Sequence, residues 1–248
     1  MHTACFHLTN RRGGVSRAPF DSLNLGLHVG DDDDSVIENR SRAAAELGAK
    51  LDDLVFGNQT HGATVAIVDS GDRGRGARTL DDALPATDGL VTETPGLVLC
   101  VLVADCVPIL LMDRKAGRLG VVHAGWRGAA SGVVPSALAA FGALGSRPED
   151  LTAMLGPSIG FEAFEVGEEV VDALGLTGTS LRVNRDGARP HVDLAGVVGD
   201  QLVDMGVKSS NLTINRQATG RANGEYFSAR DGQSTGRFGI LAVLRAVA

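Results

Sequence analysis

The residue types best suited to chemistry sit at the ends of apolar runs. Ala104-Asp105-Cys106 closes one run, and His123 closes the next, leading into Ala124-Gly125-Trp126-Arg127-Gly128. A second histidine, His61, lies upstream in Asn58-Gln59-Thr60-His61-Gly62. One Cys and two His make a ligand set for a catalytic Zn²⁺, which takes three protein ligands and keeps a fourth position open for water or substrate. A closed structural site would want a fourth Cys or His, and the sequence offers none near these three. Converged, they would make a metal enzyme.

Strands must do the positioning. Leu97 to Ala104 is a continuous apolar run with β-branched residues, the pattern of a strand buried on both faces. Ile109 to Asp113 and Leu119 to His123 read as strands joined by Arg114-Lys115-Ala116-Gly117-Arg118, a hairpin loop containing Gly. The hairpin returns the chain to where it left, so Cys106 and His123 fall at the same open end. Upstream, the acidic run Asp31 to Asp34 predicts the start of a helix over Ser35 to Leu47, with Val36, Ile37, Ala44 and Leu47 on its apolar side. Strands are expected over Leu54 to Gln59 and Ala63 to Val68. Ser70-Gly71-Asp72-Arg73-Gly74-Arg75-Gly76 reads as a solvated surface loop rather than a phosphate-binding one. Later helices are expected over Ser131 to Leu144, with Pro135 in the first turn, over Gly167 to Leu174, and over Asp193 to Met205. Pro157-Ser158-Ile159-Gly160 suits a loop at a strand end. Tyr226 to Ser228 and Arg237 to Val247 read as strands, the last apolar enough to be central. No linker interrupts the chain, which reads as one mixed α/β domain, α+β-like, over 1–248 with helices packed outside the sheets.

Composition narrows the class. The chain is 248 residues long, 44% hydrophobic and 21% charged, which is globular rather than disordered. Its 33 glycines are about twice the usual share, so tight turns and close backbone approaches are expected. A net charge of -7 argues against a broad nucleic-acid-binding surface while leaving room for local basic pockets. Three cysteines (Cys5, Cys100 and Cys106) are poor material for a disulfide framework and fit a reducing compartment. The opening Met1-His2-Thr3-Ala4 carries no secretory pattern, and no apolar run reaches transmembrane length. The expectation is a cytoplasmic protein without a membrane or nucleic-acid partner; its oligomeric state is not written in the sequence.

Each candidate has a plain alternative. Cys100, inside an apolar run, is a small buried hydrophobe. Trp126, the one tryptophan, either packs in the core or lines a pocket that stacks on a planar substrate. Arg127 either holds an anion with its planar fork or is solvated. Asp88, in Thr87-Asp88-Gly89, reads as turn chemistry. Asp105 is the better candidate for acid–base work or for orienting a ligand histidine.

These motifs together resemble the YfiH-like, or laccase-domain, family. The resemblance rests on Gly13 to Ser16, Ser22-Leu23-Asn24-Leu25-Gly26, Asn39-Arg40, Gln59 to Gly62, Thr87 to Gly89, Ala104 to Pro108 and Val122 to Gly128. It continues through Gly156 to Gly160, His191 to Leu194 and Asp231 to Arg237, so it spans the chain in order. It implies mixed sheets built from β-α-β units, and one zinc held by His61, Cys106 and His123. It further implies phosphorolysis of adenosine, inosine, guanosine and methylthioadenosine, with adenosine deamination, and substrate contacts at Asn24, Arg40, Trp126 and Arg127. Purine nucleoside and phosphate are then the expected small-molecule partners. The chain departs from the family pattern at Glu162-Ala163-Phe164-Glu165-Val166 and at Ala218-Thr219. Older naming calls such proteins polyphenol oxidases, and His₂Cys is also a blue-copper set (Cu²⁺). Six histidines, two already used, are too few and too scattered for a multicopper cluster as well. A third reading is a metal-free hydrolase with Cys106 as nucleophile and His123 as base, which leaves His61 without a role. A non-catalytic binding module is the fourth.

Overall fold

A computed structural model describes residues 2–176, 182–184, 189–220, 224–232 and 234–246. Val247 of the predicted closing strand and Gln233 of the closing motif lie outside them.

The strands are β1 (His2–Leu8), β2 (Leu54–Phe56), β3 (Val65–Ile67), β4 (Gly89–Thr92), β5 (Val98–Val103), β6 (Val107–Asp113), β7 (Arg118–Ala124), β8 (Thr152–Leu155), β9 (Val183–Asn184), β10 (His191–Val192), β11 (Leu212–Ile214) and β12 (Phe238–Ala246). The helices are α1 (Asp33–Ala45), α2 (Trp126–Ser131), α3 (Val133–Ala143), α4 (Glu168–Ala173) and α5 (Leu194–Asp204). One sheet runs β1-β12-β5-β2 and a second β11-β8-β6-β7-β4-β3; β9 and β10 form a small ribbon. Both large sheets are mixed: β5 runs antiparallel to β12 and parallel to β2. β8 and β11 are parallel neighbours with α4 and α5 between them in the chain, a β-α-β crossover.

The sheets pack face to face. Val55, Leu99, Val101 and Ile240 of the first meet Leu90, Leu110, Leu119 and Val121 of the second in one apolar cluster. The outer face of the six-stranded sheet is covered by α2, α3, α4 and α5, and that of the four-stranded sheet by α1. Strands β5 and β6 are buried along their whole length because each is covered on both faces. Each fully buried Leu, Val or Ile contributes about 1.5–3 kcal/mol, so this central layer needs no metal to hold it.

Several predicted boundaries move. Helix α1 begins two residues earlier than the sequence suggests, because Asp32 is the cap: its carboxylate accepts from Ser35 N–H at 3.0 Å, with Asp33 and Asp34 in the first turn. Its buried face is Val36, Asn39, Arg40, Ala43 and Ala44: Val36 and Ala44 fall where the apolar pattern put them, while Asn39 and Arg40 escape hydropathy because they are polar. The helix expected over Ser131 to Leu144 is interrupted: Gly132 takes φ +91° and separates α2 from α3, leaving Pro135 in the first turn of the second. Tyr226 to Ser228 is loop, not strand; Tyr226 and Phe227 are apolar because they pack on Val103, Ala104 and Phe238. The 70–76 segment contains a short 3₁₀ turn, and Arg73 and Arg75 are paired with Asp53 and Asp72. No helix among the described residues is long and apolar enough to cross a membrane.

Candidate metal centre

Cys106 and His123 come together through the hairpin of β6 and β7, in which Pro108 faces His123 and Val107 faces Ala124. Between β5 in one sheet and β6 in the other the chain must change sheets, and it does so at Ala104-Asp105-Cys106, where Asp105 takes φ +85°. The corner leaves Asp105 and Cys106 half-buried between buried Ala104 and Val107. The third side chain, His61, arrives on the loop between β2 and β3, also at positive φ (+61°). The ligand atoms of His61, Cys106 and His123 all lie within 4.8 Å of one another. The two imidazoles meet edge to face with centroids 4.8 Å apart. Among the described residues this is the single cluster of three or more Cys, His, Asp or Glu side chains able to hold a metal.

Asp88 organises the cluster. It is fully buried and precedes β4, whose Gly89 faces Val122 of β7, so its carboxylate lies behind His123. The His123 ring is bonded through Nδ1 to Asp88 Oδ1 at 2.8 Å, leaving Nε2 for the Cys106 side. The same carboxylate accepts the backbone N–H of Thr60, His61 and Gly62 at 3.2, 2.9 and 2.8 Å. One buried anion thus orients the ring of one candidate ligand and pins the loop that carries another. Burial opposes its ionisation, but the His123 bond and the Gly62 N–H hold the carboxyl below the ordinary range.

Electrostatics agree with the donor set. Burial would raise the Cys106 thiol, but His123 and then His61 outweigh it and bring it down to about 6. Burial would lower the His123 imidazole, and Cys106 and Asp88 reverse that and raise it. Each side chain thus favours the charged form of the other, and binding a cation at these donors releases a proton. Gly125, the N-cap of α2, closes the cradle: a Cβ there would stand 2.9 Å from Cys106 Sγ and 3.0 Å from His61 Cδ2. A soft thiolate, two imidazoles and a glycine-floored gap fit a zinc ion with one open position.

The open side is a cavity of about 110 Å³ walled by Gln59, Leu102, Ala104, His28, Ala229 and Arg237. Gln59 is rigid, since its amide donates to Leu102 C=O at 2.7 Å and accepts Leu102 N–H at 2.8 Å. A second cavity of about 250 Å³ shares His28, Gln59 and Leu102 with the first and is also lined by Arg40 and Phe56.

The other sequence candidates separate. Asp105 does not touch the ligand histidines: it accepts from the Thr219 hydroxyl and, at 3.1 Å, from Arg230 N–H, fastening the C-terminal loops beside the site. The carboxylate bonded to the His123 ring is Asp88 instead. Asn24 is fully buried and bonds Gly26, Asp31 and the Arg237 N–H. Arg127 is exposed, with its guanidinium 4.3 Å above the Trp126 ring, and neither side chain lines the two cavities. Trp126 packs instead against the core under α2 and α3. Asp88, Gln59, His28 and Arg237 are residues that sequence reasoning left without a chemical role. Three of them lie inside quoted motifs, and His28 follows Leu25-Gly26-Leu27 directly.

A family model described as multi-copper polyphenol oxidoreductase laccase matches residues 5–245. The chain belongs to this laccase-domain, YfiH-like family. A purine nucleoside phosphorylase of Mycobacterium tuberculosis is 41% identical over 233 residues, spanning 94% of this chain and 89% of its own length. An adenosine deaminase from an unknown prokaryotic organism is 37% identical over 224 residues, spanning 88% and 86%. The crystal structure of YlmD from Geobacillus stearothermophilus superposes with a TM-score of 0.94 at 36% identity, covering 98% of this chain and 92% of that one. The mixed α/β fold of the family is the fold found here.

Proposed function

We propose that this chain is a zinc-dependent purine nucleoside phosphorylase that accepts adenosine, inosine, guanosine and methylthioadenosine and also deaminates adenosine. The observation that carries the reading is the His61–Cys106–His123 cluster opening onto a cavity, in a chain whose relatives bear the names phosphorylase and deaminase. Held by these three side chains, zinc supplies Lewis acidity to a polar group or an attacking water.

The remaining chemistry belongs to the protein. In phosphorolysis a phosphate oxygen bonds to the anomeric carbon, the bond to the base nitrogen breaks, and the base leaves with that electron pair and takes up a proton. Deamination adds water to the adenine ring and expels ammonia. Leu102 and Ala104 offer the substrate an apolar wall, and Gln59 holds that wall in register. Partial desolvation and then the Arg237 and Arg40 charges lower the His28 imidazole to about 4, which favours its neutral form. A neutral imidazole there both donates and accepts.

The family description favours a copper oxidase as second reading, and His₂Cys suits copper. His7, His28 and His191 gather no second ligand group among the described residues, which favours the nucleoside enzyme. The test incubates inosine and adenosine with zinc-loaded protein, with and without phosphate, and follows ribose 1-phosphate, free base and ammonia. Phosphate-dependent base release is expected. Base release equal without phosphate, or phenol oxidation that scales with bound copper and vanishes in Cys106→Ala, overturns the reading.

A further inference from the structure

Arg40 is a cation folded into the protein without a counter-ion. Only 1% of it is exposed, and among the described residues no carboxylate pairs with it. Its Nε donates to Leu25 C=O at 2.8 Å, and its Nη1 donates to Gly76 and Ala77 C=O at 2.6 and 3.1 Å. The Phe56 ring lies 4.1 Å under the guanidinium. That leaves Nη2 with no acceptor among the described residues, yet it is not among the fully enclosed unpartnered atoms, and Arg40 lines the cavity of about 250 Å³. Three carbonyls satisfy donors but supply no net negative charge, so a buried guanidinium so held is still short of an anion.

A second arginine lines the adjoining cavity, which shares His28, Gln59 and Leu102 with that of Arg40. Arg237 lines the smaller cavity; its Nη1 reaches only Thr235 and Gly236 C=O, at 3.0 and 3.1 Å, and it too has no ion pair among the described residues. One buried turn holds both: Leu25 N–H donates to Arg237 C=O at 2.9 Å while Leu25 C=O accepts from Arg40, and Asn24 Oδ1 accepts Arg237 N–H at 2.8 Å. His28 stands on the wall common to the two cavities. Elsewhere Arg73, Arg75, Arg78, Arg118 and Arg182 all have carboxylate partners.

We infer that Arg40, His28 and Arg237 form an oxyanion pocket that seats inorganic phosphate next to the metal centre. The inference rests on the phosphorylase reading and names where its second substrate binds. Guanidinium forks match the tetrahedral oxygens of phosphate, and a neutral imidazole adds a donor without adding charge. Asn24 acts as a positioning residue, because it touches the Arg237 backbone and not the cavity.

The experiment titrates inorganic phosphate calorimetrically into the purified full chain and into Arg40→Gln, Arg237→Gln and Arg127→Gln, with circular dichroism as the folding control. Phosphorolysis kinetics at varied phosphate run in parallel. Loss of a charged hydrogen bond should weaken phosphate affinity by about tenfold or more in Arg40→Gln and Arg237→Gln. Arg127→Gln should bind as the parent does. Should Arg40→Gln fail to fold, Arg237→Gln decides. Unchanged phosphate affinity in the folded variants, no phosphate binding by the parent, or a loss confined to Arg127→Gln overturns the pocket. Phosphorolysis with an unchanged KM for phosphate in the variants refutes the pocket and leaves the phosphorylase reading standing. Phosphate binding that depends on Arg40 and Arg237 without any phosphorolysis supports the pocket and refutes that reading.

Discussion

Replacing Asp88 with Asn tests the reasoning at its most exposed point, because the change is nearly isosteric and alters only charge and donor pattern. Asp88 Oδ1 faces His123 Nδ1 and His61 N–H, and Oδ2 faces Gly62 and Thr60 N–H. An asparagine has one oxygen for these two groups of donors. If its oxygen stays with His123, its amide faces the N–H groups of the loop, and a buried unsatisfied donor costs about 1–3 kcal/mol. If it flips, the amide faces His123 Nδ1 and drives the ring proton to Nε2, the nitrogen on the Cys106 side. Either orientation disturbs a ligand. Loss of such a supporting carboxylate lowers metal affinity about 10- to 100-fold, or about 1.4–2.7 kcal/mol. The metal-free protein should also melt about 2–12 °C lower, taking about 2–4 °C per kcal/mol at this size. Chelator competition for zinc and thermal unfolding of the metal-free protein measure the two effects separately. Asp105→Asn is the contrast, since Asp105 contacts Thr219 and Arg230 rather than a ligand. Unchanged zinc affinity in Asp88→Asn, or a larger loss in Asp105→Asn, refutes the assignment.

Three further outcomes follow from the same geometry. Cys106→Ala should remove most of the zinc from a protein that otherwise carries about one per chain, while the far-ultraviolet spectrum stays intact; unchanged zinc content revives the hydrolase reading. Gly125→Ala should lower zinc affinity with little change in helix content, because its Cβ would intrude at 2.9 Å on Cys106 Sγ while the backbone at φ −76° accepts alanine; parent-like zinc binding counts against the cradle. Asp113 is buried. Desolvation opposes its charge, yet Ser146 and the N–H groups of Ala116 and Lys115 hold its carboxyl below the ordinary carboxylate range, so its stabilisation is present above the unfolded pKa and fades as pH falls through the lower folded one. Asp113→Asn should therefore cost about 1–3 kcal/mol at pH 7 and distinctly less near pH 3 by denaturant unfolding, and a penalty independent of pH speaks against it.

The sequence alone determined what is local. Cys106 and His123 were legible as neighbours because a hairpin with a short loop fixes its own register, and Pro108 does face His123. The apolar run of β5 announced a strand covered on both faces, and the order of family motifs announced the fold. Tertiary structure decided what depends on partners distant in the chain. Asp88 reads as a turn residue because Asp-Gly serves turns and buried acceptors alike; only the pairing of β4 with β7 puts it behind His123. Asp105, adjacent to a ligand in sequence, turns aside because a chain changing sheets at positive φ points consecutive side chains in different directions. Trp126 and Arg127 follow His123 closely, but α2 begins at Trp126 and carries both away from the cavity. Arg40 shows the limit most plainly: hydropathy assigns a cation to the surface, and only the closure of Leu25, Gly76 and Phe56 around it makes it a buried charge facing a cavity. Residue type fixes what a side chain is able to do, and long-range packing fixes its partner, because burial and pairing are properties of the assembled layers and not of neighbouring residues in the chain.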